Sequence, residues 1–78
     1  MSTFEQLQEV MAPALNVSAE TITPTSAQSN LAAWDSLGHV NLMVALEDAF
    51  GIELQIEDFS KLGSVRAILE YLKSQGVE

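Results

Sequence analysis

The chain has 78 residues, of which 47% are hydrophobic and none is cysteine; 11 acidic against 3 basic side chains give a net charge of −8. That length holds one small domain, residues 1–78, with a marginal core and no room for a deep catalytic cleft, and the apolar fraction is that of a globular chain, not a disordered one. Disulfides and cysteine-based metal sites are excluded, and the acidic balance opposes nucleic-acid binding, which needs cations along a row of phosphates; it favours solubility or basic protein partners.

The start, Met1-Ser2-Thr3-Phe4-Glu5, has no basic region leading into an apolar core, so no signal peptide is expected and the cytoplasm is the default compartment. Ser2 and Glu5 are spaced as a capping box, and Phe4, Leu7, Val10, Met11 and Leu15 recur at helical spacing, which predicts a first helix from about Ser2 to Leu15. Pro13 conflicts with an uninterrupted helix and predicts a kink or an early end.

Residues 16–35 read as a long polar loop rich in Ser, Thr, Asn and Ala, with Pro24 inside it and Val17, Ile22 and Leu31 as anchors to the core. Loops of this length are uncommon in compact domains and are often functional. Trp34 is expected to pack on those anchors.

Asp35 is placed to cap a second helix, from about Ser36 to Phe50, which Gly51 ends. At about 100° per residue, Leu42, Met43, Leu46 and Phe50 share one face with His39, while Leu37, Val40, Val44 and Asp48 lie on the opposite face with Asn41 and Glu47 at its margins. The second stripe is either buried under the long loop or, if exposed, a partner surface. Ser36 falls at the first helical position, where a phosphate on its hydroxyl would meet unpaired N–H donors and the positive end of the helix dipole. The site therefore suits a serine that bears a phosphodiester better than one that attacks a substrate.

The longest apolar run, Leu42 to Leu46, is far too short to span a bilayer, so no membrane association is expected. Glu57-Asp58-Phe59 predicts a short third helix, and Ser64 caps a last one from about Val65 to Ser74, with Val65, Ile68, Leu69 and Leu72 inward and Gly76 just past its end. No strand is predicted, and three main helices with one short one read as a small all-α four-helix bundle. Asp35, Ser36 and His39 invite a hydrolase reading, but activation needs a base aimed at the hydroxyl, an orienting partner and an oxyanion hole. His39 projects toward the core, and a single histidine without cysteine offers no metal-ligand cluster.

Asp35-Ser36-Leu37 at the head of this helix, followed by Val40, Leu42, Ala45-Leu46-Glu47 and Phe50-Gly51-Ile52, resembles the acyl carrier proteins, as do the long first loop and the Ser64-Val65 start of the last helix. The resemblance covers essentially the whole chain. It implies a non-enzymatic, monomeric carrier in which Ser36 is esterified by the phosphate of 4′-phosphopantetheine, whose thiol holds the cargo as a thioester. It further implies that Asp35 assists the phosphopantetheinyl transferase and its metal ion, that Leu37 is a hydrophobic contact of that transferase, and that other partners are an acyl-loading ligase or transferase and downstream synthases. Val40 and Val44 of the outer stripe are the expected partner contacts, and the resemblance adds the acids Glu47 and Asp48, with Glu57 and Asp58 as further candidates. The chain departs from the fatty-acid synthesis pattern in having Ala32-Ala33-Trp34 before the motif, and Gly38 and Asn41 where acids are usual. The Gly-Gly-His-Ser or Gly-Gly-Asp-Ser of peptidyl carriers is also absent, so a carrier dedicated to a specialised pathway is expected. A housekeeping or aminoacyl carrier, an unmodified interaction domain and a small serine hydrolase are the alternatives.

Overall fold

Ser2 sets the start of the first helix, α1 (Thr3–Leu15): its Oγ accepts the Glu5 N–H at 3.1 Å, and its own N–H donates to Glu5 Oε1 at 3.0 Å, completing the expected capping box in this computed structural model. The structure describes residues 2–77, so Met1 and Glu78, which belong to the expected single domain, lie outside the described residues. Pro13 does not end α1, which runs on to Leu15. It sits exposed in the last turn, where its missing N–H costs one bond on the solvent side. The helix closes two residues later, with Asn16 in the left-handed region (φ 58°) and the Val17 N–H bonded to the Ala12 carbonyl at 3.0 Å.

The long loop is a succession of tied turns. A 3₁₀ turn, Ala19–Thr21, is held to α1 by the Gln8 side-chain amide, which donates to the carbonyls of Ala19 (3.2 Å) and Ile22 (2.8 Å). Ser26 Oγ accepts the Thr23 N–H at 2.9 Å, and the Asn30 side chain bridges the Ala27 N–H and the Thr25 carbonyl, both at 2.9 Å. Of the expected anchors, Ile22 is buried and Val17 and Leu31 are half-buried.

The helix α2 (Ser36–Phe50) has the predicted bounds, with Asp35 at its head and Gly51 in the left-handed region (φ 63°) at its end. A four-residue helix, α3 (Ile56–Phe59), begins one residue earlier than expected and is capped by Asp58 Oδ2, which accepts the Gln55 N–H at 3.0 Å. The last helix, α4 (Val65–Ser74), is capped by Ser64 Oγ on the Ala67 N–H at 3.1 Å. It ends in a Schellman closure: Gly76, at φ 85°, donates to the Lys73 carbonyl at 3.1 Å, and Val77 donates to that of Leu72 at 2.9 Å. The start of α4 is stitched to the loop by an isolated antiparallel bridge between Ala27 and Ser64, with Gln28 N–H to Gly63 carbonyl and Val65 N–H to Ser26 carbonyl at 2.9 Å each. No strand forms among the described residues.

Leu7, Met11 and Leu15 of α1, Leu42, Met43 and Leu46 of α2, and Val65, Ile68 and Leu72 of α4 meet in one core, closed by Ile22, Trp34, Leu54 and Leu62. Each such aliphatic side chain contributes about 1.5–3 kcal/mol by leaving water. Phe4, Val10, Phe50 and Leu69, expected inside, pack half-buried at its margin. The fold is an all-α bundle of four helices, and no described helix is long and apolar enough to cross a membrane.

Candidate functional site

The loop enters the core at Trp34 and leaves it at Asp35, whose extended backbone (φ −88°, ψ −172°) turns the chain into α2. Asp35 Oδ1 accepts the Gly38 N–H at 2.8 Å, and the Asp35 carbonyl accepts that of His39 at 2.8 Å. The N–H groups of Ser36 and Leu37 are the first-turn donors left over, at the positive end of the helix dipole. Ser36 is exposed there, beside Leu37 at 71% exposure. An anion bonded to the Ser36 hydroxyl would sit against those donors, so the residues present fit a phosphodiester.

The ground beneath this turn is fixed by a relay. Trp34, 1% exposed, donates its indole Nε1–H to His39 Nδ1 at 2.9 Å, and His39 Nε2 lies 2.6 Å from the Phe59 carbonyl. Indole only donates and a carbonyl only accepts, so the ring makes both bonds at once as the Nε2–H tautomer. Both ring nitrogens are thereby committed inside the bundle, and His39 has none to offer Ser36 as a general base. Trp34 packs into the core as expected, but through this bond as well as through apolar contact.

Gly38 is buried, which corrects its reading as a surface position lacking an acid. A Cβ there would lie 2.8 Å from the Ala33 carbonyl oxygen and 3.0 Å from Leu15 Cδ2. Glycine is needed because the loop backbone crosses directly over α2. Any side chain, acidic or not, would have to displace that backbone.

Of the two alternatives for the outer face of α2, the structure shows exposure: Val40 is 48% and Val44 51% exposed, with Asn41 and Asp48 exposed beside them. Glu47 differs. It is half-buried, and its Oε2 accepts the Leu54 N–H at 3.0 Å, tying the end of α2 to the connection before α3. One of its oxygens therefore serves the fold. Ile56, at 87% exposure, is an apolar side chain that periodicity missed, because a four-residue helix carries no stripe to read. The acids of α2 and α3 also converge on Tyr71 of α4: partial desolvation first, then the charges of Asp58 and Glu47, push its hydroxyl above the ordinary tyrosine range.

Residues 5–72 match the family described as "Phosphopantetheine attachment site". The chain is 37% identical over 73 residues to an acyl carrier protein of Helicobacter pylori (strain G27), covering 94% of each chain. It is 31% identical over 77 residues to an acyl carrier protein of Syntrophus aciditrophicus (strain SB), covering 99% of this chain and 96% of that relative. With its helical bundle and the match spanning both α2 and α4, the chain belongs to the acyl carrier proteins, non-catalytic carriers of covalently attached 4′-phosphopantetheine that are served by a phosphopantetheinyl transferase and by biosynthetic enzymes.

Proposed function

We propose that Ser36 is the attachment residue, and that the outer face of α2 presents the cargo to partner enzymes. The observation that carries this reading is the exposed Ser36 hydroxyl at the first position of α2, behind an Asp35 carboxylate already committed to the Gly38 N–H. The prosthetic group supplies a thiol, which this cysteine-free chain lacks, on which an acyl or related cargo is held as a thioester. The chain's own contribution is positional. Asp35 and the relay beneath it hold the first turn of α2 in place, and the leftover Ser36 and Leu37 N–H groups favour the phosphate's charge. Tethering then raises the local concentration of cargo at each partner's active site.

Leu37, Val40 and Val44 form the apolar part of the docking face, with Asp48 as its exposed acid and the outer oxygen of Glu47 at its edge. Transferase, loading ligase or transferase, and downstream synthases are the partners of this face. The carrier acts as a cytoplasmic monomer, without nucleic acid or membrane. It serves a specialised pathway; the support is Asn41, exposed where housekeeping carriers of the family usually place an acid, and a docking face on which apolar side chains outnumber charges. Gly38 no longer contributes to that argument, since its lack of a side chain is steric.

Incubation with coenzyme A, magnesium and a broad-range transferase should add one phosphopantetheine mass, and Ser36→Ala should abolish the addition. Persistent labelling of the alanine variant overturns the assignment. Failure of the natural chain to label favours an unmodified interaction domain.

A further inference from the structure

We infer that the relay from the Trp34 indole through the His39 imidazole to the Phe59 carbonyl is a proton-operated latch that clips the end of the long loop onto α2 and α3. The relay stands whichever residue bears the prosthetic group. Three separate segments meet in two hydrogen bonds, of 2.9 Å and 2.6 Å, on one ring that is 8% exposed. Trp34 is nearly fully buried, so its N–H has no recourse to water. On the other side, among the described residues the Phe59 carbonyl otherwise receives only the Leu62 N–H, at 3.4 Å.

The two ends of the relay respond differently to a proton. Histidine is the side chain whose charge ordinarily changes near neutral pH. A proton added to Nδ1 removes the lone pair that Trp34 uses and sets two N–H donors against each other at the Trp34 end. The Nε2–H bond to Phe59 survives and becomes charge-assisted. Opening is therefore confined to the Trp34 side, two residues before Ser36, while α3 stays attached.

The ring meets the loop through the Trp34 ring (centroids 6.0 Å apart) and α3 through the edge of Phe59 (6.4 Å). Neither of those contacts is charged. The acids of these segments are Asp35, whose Oδ1 caps Gly38 on the ring's own helix, Asp58, whose Oδ2 caps Gln55 on α3, and the exposed Glu57 of α3, with Lys61 just beyond α3. Among the described residues no ion pair involves His39. With no carboxylate of the described residues in ion-pair contact with the ring, the response falls on the Trp34 bond.

The chain has one tryptophan and one histidine, so each end reports without ambiguity. The test follows the Trp34 indole N–H and the His39 ring signals by NMR on the full chain between about pH 8 and pH 5, with far-UV circular dichroism in parallel. His39→Gln is the control, because its amide can accept from Trp34 and donate to Phe59 but does not titrate. The expected result is a Trp34 shift with the same midpoint as the His39 ring, at constant helical signal, that is absent in His39→Gln. A Trp34 signal that stays still while His39 titrates overturns the latch. So does the same transition in His39→Gln, or a His39 titration that occurs only as the helices are lost.

Discussion

Replacing Gly38 with alanine should destabilise the protein even though it puts a better helix former into α2. In an open helix the exchange would gain about 0.5–1 kcal/mol. Here the new Cβ would stand 2.8 Å from the Ala33 carbonyl oxygen and 3.0 Å from Leu15 Cδ2. The first of these is backbone, which cannot swing aside as a flexible side chain does. Forcing one methyl into such a contact costs about 1–3 kcal/mol. The balance is a net loss of about 1 kcal/mol, which for a domain of this size lowers Tm by about 4–8 °C. Thermal and urea unfolding followed by far-UV circular dichroism measure it, with Asn41→Ala on the exposed side of the same helix as a control expected to gain a few tenths of a kcal/mol. A Gly38→Ala variant as stable as the natural chain would refute the close approach of loop and helix. It would also restore position 38 as a place where a docking acid could have stood.

Val40→Ala and Asp48→Lys should each weaken coupling to partner enzymes while leaving the helical signal intact; the Asp48 effect, on the order of 0.2–1 kcal/mol, should fade as salt rises, and unchanged coupling in both moves the partner face elsewhere. Glu47→Ala should cost about 1–3 kcal/mol in urea unfolding by leaving the Leu54 N–H unpaired, whereas Glu47→Gln keeps an acceptor and loses less; equal losses would deny the carboxylate its structural role. The phosphopantetheine-bearing protein should be a poor substrate for a generic malonyl transferase and ketosynthase, and elongation on it as efficient as on those enzymes' own carrier would remove the specialised role.

Local chemistry was enough to bound α2 and α4. Asp35 and Ser64 supply caps, and Gly51 and Gly76 take up left-handed turns, so the signals act within a few residues and need nothing from the rest of the chain. Helical periodicity likewise separated the buried Leu42, Met43 and Leu46 from the exposed Leu37, Val40 and Val44, because a rotation of about 100° per residue is intrinsic to the helix. The environment of individual residues depended on how the segments flanking a helix fold against it. Gly38 reads as a missing acid until the Ala33 carbonyl of the segment leading into α2 is seen to lie against it, and Glu47 reads as a free surface charge until the connection to α3 brings the Leu54 N–H to it. His39 was legible as an inward residue, but its partners, Trp34 and the carbonyl of Phe59, come from elements whose mutual placement no spacing encodes. Pro13 stayed inside α1 two residues before its end, against its intrinsic preference, and Ile56 stood out of the bundle because a single turn of helix has no second residue to reveal its face. Periodicity is a property of one element, whereas burial and hydrogen-bond partnership are properties of where elements meet, and that meeting is set by how the core closes.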